Sequence, residues 1–390
     1  MSEVRQPVFY DTTLRDGNQS LKHPWNHQEK EEIFDRLIEL GIKVIEIGFP
    51  MAGPSEYESC RLLAQKAPHD VTVSVLARAL PEDVEMAAQV LQGVCLPRIH
   101  VFVMMNPLGL QYVLKKDLAQ VTEQVVQVVK QAKSLLPVHG QVEFSVENFG
   151  DCKENLPQVL NALDEIVKAG ADVINLANTV ERTHPLAFVQ MVQAAKAVIQ
   201  DRAQLSVHCH NDLGMATATT VESFFAGATQ LETTINGLGE RCGNANMFEV
   251  AMALYNSGEL VPLKMSKFYE VSQVVSKLSG VPIWEKAPLM GRDCFLHRSG
   301  VHQDGANKTK MLSKGQYLPY RPEIIGRLDG ERMAFTSQSG KSALQSLCSE
   351  VGHPLSVDQA LQLMSKAKFL AEQKGELSQT DLTQLCTPSV

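Results

Sequence analysis

Three stretches carry side chains able to bind one cation and to act on an oxygen bound to it. Near the N-terminus, Phe9-Tyr10-Asp11-Thr12-Thr13-Leu14-Arg15-Asp16-Gly17-Asn18-Gln19 runs from an apolar strand into an arginine, a carboxylate and a glycine turn. In His208-Cys209-His210-Asn211-Asp212 two imidazoles stand two residues apart. On a strand both face the same way, with Cys209 turned to the other side. Gly237-Leu238-Gly239-Glu240-Arg241-Cys242-Gly243-Asn244 adds an asparagine in a glycine-rich turn. Asp16, His208, His210 and Asn244 form a mixed nitrogen and oxygen ligand set for one divalent cation, zinc, manganese or magnesium, with positions open to a bidentate substrate. The plainer reading is a hydrogen-bonded histidine pair at a polar rim. Cys209 and Cys242, beside these ligands, read as packing residues.

Arg15 is either an ion-pair partner of the structure or a guanidinium placed to polarise a carbonyl and stabilise a developing oxyanion. Glu147, after Phe144-Ser145-Val146, reads as a surface carboxylate or as a polar group at a strand end. His302 and Asp304 lie in Ser299-Gly300-Val301-His302-Gln303-Asp304-Gly305, read as a glycine-flanked loop that supplies an acid or base or is an ordinary polar loop.

The elements that must position these groups alternate regularly. Short β-branched runs are read at 7–10, 43–48, 72–76, 98–103, 141–146, 172–177, 204–210 and 230–236. Amphipathic segments lie between them at 26–40, 81–91, 117–135, 155–168, 184–199, 215–226 and 244–255. Eight strands separated by helices predict a closed parallel (β/α)8 TIM barrel, and runs such as Val44-Ile45-Glu46-Ile47 suit strands covered on both faces. Such barrels build their sites at the C-terminal strand ends, which gathers Arg15-Asp16, Glu147, Asn178-Thr179, His208, His210 and the 237–244 turn on one rim. After Pro262 the alternation fades. A helix is read at 265–278, an aperiodic polar stretch at 280–314, and helices again at 341–351 and 357–372. The expected division is a barrel over 1–262, a linker subdomain over 263–330 and a small helical subdomain over 331–390.

Bulk composition narrows the function. At 390 residues the chain holds one barrel of roughly 250 residues and a smaller region. A hydrophobic share of 44% and a charged share of 21% describe an ordinary globule. A net charge of −8 and a pI near 5.8, without a basic stripe, argue against nucleic acid as the partner. No apolar run spans a membrane, no secretory leader is read, and eight scattered cysteines without a CxxC pair fit a reduced cytoplasmic setting.

Asp-Thr-Thr-Leu-Arg-Asp-Gly-Asn-Gln, His-x-His-Asn-Asp and Gly-x-Gly-Glu-Arg-x-Gly-Asn together resemble the signature of the metal-dependent acyl-CoA condensing TIM barrels, over roughly residues 7–330. Ile45-Glu46-Ile47-Gly48-Phe49-Pro50, the 299–305 stretch and Tyr317-Leu318-Pro319-Tyr320-Arg321-Pro322-Glu323-Ile324-Ile325-Gly326 are more similar to the 2-isopropylmalate synthases than to the homocitrate synthases. The resemblance implies Asp16, His208, His210 and Asn244 as metal ligands, and Arg15 and Glu147 as catalytic residues. His302 and Tyr317 would reach the site from the subdomain, in a homodimer that exchanges it. The reaction implied is condensation of acetyl-CoA with a 2-oxo acid, most simply 2-oxoisovalerate, with His100, Asn175 and Thr179 lining the acceptor pocket. The chain departs from the family where Met104-Met105-Asn106 replaces Ala-Thr-Ser and Ala177-Asn178-Thr179 follows Asn175-Leu176 without a proline. Both departures fall where the acceptor side chain is expected, so another 2-oxo acid stays open. A leucine-sensing domain is not expected within this chain. A retro-Claisen lyase would carry a cysteine-containing glycine loop where Gly239-Glu240-Arg241 stands. A non-catalytic metal-binding regulator is the alternative of another class.

Overall fold

The computed structural model describes residues 6–312 and 315–387; the ends of expected stretches that fall on 1–5, 313–314 and 388–390 lie outside it. Eight strands, β1 (Val8–Asp11), β2 (Val44–Glu46), β3 (Thr72–Arg78), β4 (Leu96–Met104), β5 (Gln141–Glu147), β6 (Val173–Asn178), β7 (Gln204–Cys209) and β8 (Gln230–Thr233), pair in parallel in chain order. β8 returns to β1 in the register Val8↔Gln230 to Asp11↔Thr233, closing the expected barrel. The surrounding helices are α1 (His27–Leu40), α2 (Pro54–Lys66), α3 (Pro81–Val90), α4 (Leu118–Leu135), α5 (Leu156–Ala169), α6 (Pro185–Ile199), α7 (Ala216–Phe225) and α8 (Met247–Asn256). Asn26 and Asp117, read as first helical residues, are N-caps closing capping boxes with Glu29 and Gln120.

Period-two alternation divides each strand. Ile45, Val73, Val75, Ile99, Val101, Phe144, Ile174, Leu205 and Val207 are buried on the face that the helices cover. The inward face is polar. Arg98 donates to Glu143 at 2.8 Å and Gln230 at 2.7 Å, and Gln230 donates to Glu143 at 2.8 Å and Ser206 at 3.0 Å. Barrel interiors are more often filled by branched apolar residues. A buried ionic interior is tolerable only when each charge finds a partner, as these do.

Three readings of the sequence need correction. Helix α2 was missed, because Gly53-Pro54 reads as a turn and only Ser59, Cys60, Leu63 and Ala64 are buried on it. β8 stops at Thr233 instead of reaching 236. Asn236 adopts φ 58° in the turn Ile235–Gly237, a conformation asparagine tolerates, and its side chain bonds Ser272 at 2.6 and 2.9 Å. The stretch around His302 is a helix and not a loop, as described next.

Beyond the barrel come α9 (Phe268–Ser279), a two-residue strand β9 (Leu296–His297), α10 (Gly300–Thr309), β10 (Arg332–Met333), α11 (Lys341–Glu350), α12 (Val357–Lys374) and α13 (Gln379–Cys386). The chain forms two compact units, one ending at Lys264 and including Val271–Pro282, the other built from Met265–Glu270 and Ile283 onward. α10 escapes a periodicity search because Gly300, Gly305 and Asn307 interrupt it and only Gln303 and Ala306 are buried. Its anchor is polar: the Gln303 amide donates to the carbonyls of His297 (2.9 Å) and Ala334 (2.7 Å). Within the second unit, Leu344, Leu347, Cys348, Ala367, Ala371, Leu382 and Leu385 form a small core. Among the described residues no helix is long and apolar enough to cross a membrane.

Candidate metal centre and acceptor pocket

The turn after β1 is set by Asp11, whose buried carboxylate accepts from the backbone N–H and hydroxyl of Thr13 at 2.9 and 2.8 Å. Burial pushes that carboxyl up to about 7 against the pull of the Thr13 donors. The Thr13 hydroxyl also accepts from the backbone N–H of Ile235, tying the turn to the segment after β8. The single turn Thr13–Gly17 then presents Arg15 and Asp16 over the barrel mouth.

Asp16 Oδ2 lies 3.3 Å from His208 Nε2 and 3.6 Å from His210 Nε2, and the two Nε2 atoms are 3.1 Å apart. All three side chains are buried, and their ligand atoms converge on one point. Burial alone would raise the Asp16 carboxyl; Arg15, His208 and His210 outweigh it and hold it well below the usual carboxylate range. Burial disfavours charge on His208, but Asp16 and Glu232 reverse this and raise it to about 9. His210 falls to about 4 through burial and its neighbour His208. Asn244 pairs through its backbone with His210, donates its amide to the Leu238 carbonyl at 3.3 Å, and keeps a buried Oδ1 without a hydrogen-bond partner. An orphaned carbonyl oxygen costs free energy unless something accepts it. One carboxylate oxygen, two imidazole nitrogens and this amide oxygen fit a divalent cation.

Two elements around this centre were not legible as site components. Glu232, fully buried on β8, accepts from His208 Nδ1 at 3.0 Å and so leaves Nε2 turned toward Asp16, the nitrogen that would meet a cation. Replacing it by glutamine is expected to weaken manganese or zinc binding by about tenfold to a hundredfold, measured by calorimetric titration of metal-stripped protein. Gly243 adopts φ +90°, and a Cβ there would run into the Gly237 carbonyl. Gly243→Ala is therefore expected to cost about 1–3 kcal/mol in stability and to weaken cation binding, because Asn244 follows directly; denaturant unfolding and the same titration check it.

Arg15 lies between Asp16 (Nη1 to Oδ2 3.2 Å) and Glu46 (Nε to Oε2 2.6 Å). Glu46 is the hub of the layer below, meeting His100 Nδ1 at 2.7 Å and the Tyr10 hydroxyl at 3.1 Å. Burial would raise its carboxyl, but Arg15 and His100 bring it down to about 2. His100 Nε2 reaches Ser145 at 2.6 Å, and Asn175 donates to the same hydroxyl at 2.7 Å, leaving Asn175 Oδ1 buried and unpartnered.

Above these groups opens a cavity of about 230 Å³. Arg15, Asp16, Gln19, His100, Ser145, Asn175, His208, His210 and Glu232 are its polar lining, with Glu147 and Thr179 at strand ends β5 and β6. Phe49, Leu76, Phe102 and Ala177 are its apolar lining. The Thr179 hydroxyl accepts from the Asn148 backbone N–H at 2.9 Å. Glu147 is half-buried, and burial raises its carboxyl against the nearby Arg15. Met104 and Asn106, expected beside the acceptor, do not line this cavity. They pack at Gly109 in the following turn, although Met104 shares the parity of Phe102 on β4. Cys209 is buried as expected, but Cys242 is exposed.

His302 and Tyr317 belong to the second unit. Their rings stack with centroids 4.2 Å apart at 19°, beside His297, which meets Glu331 at 2.7 Å. Gly305 makes this possible, since a Cβ there would enter the Tyr317 ring. Asp304 is taken up by Lys308 at 2.6 Å on the surface of α10.

Comparison with known proteins identifies the family. Residues 6–275 match the HMGL-like family, and residues 292–348 match the post-catalytic domain of alpha-isopropylmalate synthase. A 2-isopropylmalate synthase 2 of Leptospira interrogans is 47% identical over 369 residues, covering 95% of this chain and 86% of that protein. A 2-isopropylmalate synthase of Carboxydothermus hydrogenoformans is 37% identical over 388 residues, 98% of this chain and 74% of its own length. In fold, the HMG-CoA lyase of Brucella melitensis superposes with TM-score 0.61 at 20% identity over 71% of this chain and 99% of its own. The chain belongs to the 2-isopropylmalate synthases, condensing enzymes built on an HMGL-like barrel.

Proposed function

We propose that the chain catalyses the Claisen-type condensation of acetyl-CoA with 2-oxoisovalerate, yielding 2-isopropylmalate and CoA, as a cytoplasmic homodimer. The observation that carries this reading is a single cavity lined both by a cation-binding triad with Arg15 and by the apolar side chains of Leu76, Phe102 and Ala177. A branched 2-oxo acid presents both kinds of surface. Relatives named 2-isopropylmalate synthase over nearly the whole chain support it.

Asp16, His208, His210 and Asn244 would hold the cation. When bound, it supplies adjacent positions for the acceptor's carboxylate and keto oxygens and draws electron density from the keto carbon. Arg15, oriented by Glu46, stabilises the negative charge that develops on the keto oxygen as the carbon–carbon bond forms. Glu147 at the mouth is one candidate to take a methyl proton from acetyl-CoA, because its raised carboxyl suits a base near neutral pH. His302, stacked on Tyr317, is the other, contributed with Tyr317 by the second unit of a neighbouring subunit. His100, Asn175 and Thr179 border the acceptor, and hydrolysis of the thioester then releases CoA.

The test is CoA thiol release from acetyl-CoA with 2-oxoisovalerate, pyruvate and 2-oxoglutarate in turn, after chelation and after return of zinc, manganese or magnesium. The expected result is cation-dependent turnover fastest on 2-oxoisovalerate. Turnover of another acid alone would replace the substrate, and no thiol release with any acid would reject the enzyme.

A further inference from the structure

The second unit holds a pair of thiols that the proposed reaction does not use. Cys348 faces inward from α11, continuing the buried stripe Ala343, Leu344, Leu347. Cys386 ends α13, beside the buried Leu382 and Leu385. Their Sγ atoms lie 2.6 Å apart, although 38 residues separate them in sequence. Sulfurs this close need only side-chain rotation to join, since a disulfide requires the two Cβ positions to be already adjacent. The other six cysteines offer no such partner among the described contacts; Cys209, Cys60 and Cys152 are buried singly, and Cys95 and Cys242 stand alone at the surface.

The surroundings hold the pair together from both ends. α13 begins with a capping box between Ser378 and Asp381, and Asp381 also pairs with Lys374 at the end of α12. The backbone N–H of Leu377 donates to the Phe335 carbonyl at 3.0 Å, fixing the entry to α13. Exposure separates the two thiols. Cys348 is fully buried, whereas Cys386 is half-buried at the open end of its helix. A small disulfide therefore meets Cys386 first.

We propose that Cys348 and Cys386 are a modification site, a dithiol that small-molecule disulfides oxidise to an intrachain disulfide. In the first step the Cys386 thiolate attacks one sulfur of RSSR, forming a protein–SR mixed disulfide and expelling RS⁻. In the second, Cys348 loses its proton and its thiolate attacks the Cys386 sulfur, expelling the second RS⁻. Two protein thiols thus give up two electrons to RSSR, which leaves as two RSH once the displaced thiolates take up the two protons. The bond ties the last described helix to α11 across the unit's small core.

Oxidised glutathione is the probe, and intact mass, thiol titration and non-reducing peptide mapping are the readouts. With the exposed thiols removed by Cys95→Ser and Cys242→Ser, the expected product is about two mass units lighter, has four titratable thiols in place of six, and yields one cross-linked peptide joining 348 to 386. Dithiothreitol restores the starting mass. Cys386→Ser is expected to keep its remaining thiols unpaired under the same treatment, and Cys348→Ser to stop at the glutathione adduct on Cys386. The oxidised protein should resist proteolysis after α12 longer than the reduced form. All six thiols surviving in the protein carrying Cys95→Ser and Cys242→Ser, a persistent glutathione adduct on Cys348 or Cys386 there, or a cross-link between any other pair would overturn the proposal. None of these readouts depends on condensing activity.

Discussion

Exchanging Asp16 for asparagine lowers the rate of CoA release by about a thousandfold or more and removes the rise in melting temperature that a divalent cation gives the parent protein. The substitution is nearly isosteric. The oxygen that accepts the Glu240 backbone N–H at 3.2 Å is retained. The oxygen lost is the one 3.3 and 3.6 Å from the two imidazoles, and with it goes the one carboxylate among the described residues that faces both. Two neutral imidazoles and an amide are a far weaker set for a hard or borderline cation. Calorimetry with manganese or zinc and a melting curve with and without cation report the binding; the thiol assay reports the rate. A variant that keeps a tenth of the activity and the full cation-dependent shift would remove Asp16 from the centre.

The second large effect is at Arg15. Arg15→Lys is expected to lower kcat by about a hundredfold to a thousandfold while KM for the oxo acid moves much less. Arginine reaches Glu46 through Nε and keeps its two Nη groups for other acceptors, one of them 3.2 Å from Asp16. A lysine ammonium, as a single point charge, cannot hold Glu46 and also direct a second donor at the developing oxyanion. Alanine would confound the measurement, since it strips the buried Glu46 of its strongest partner and costs about 3–5 kcal/mol in stability. Steady-state kinetics of Arg15→Lys beside a denaturant titration separates the two effects. A kcat within tenfold of the parent would return Arg15 to a structural role.

The barrel was legible because its strands and helices recur with different periods and its signals are local. The cluster of Asp16, His208 and His210 was legible because a two-residue spacing of histidines and a carboxylate at a strand end have few other uses. Glu46 was hidden in an apolar run and Glu232 in the mixed strand Gln230–Thr233, and the sequence does not say which parity faces inward. The structure does, through the contact of Glu46 with Arg15 in the turn after β1 and with His100 on β4. Parity alone would turn Met104 inward with Phe102; it ends β4, and its side chain packs instead at Gly109 in the turn that follows. The role of Gly305 was unreadable because the residue it accommodates, Tyr317, lies twelve positions away and no periodic rule links them.

The tiers inside the barrel give the enzyme separable parts. Arg98, Glu143 and Gln230 answer one another across the lower floor, so altering any one of them strands its partners in a dry interior. Leu76, Phe102 and Ala177 hold no such obligations. A descendant of this protein is therefore free to exchange these three for larger or smaller neighbours, moving toward a different acid while the chemistry beneath stays intact.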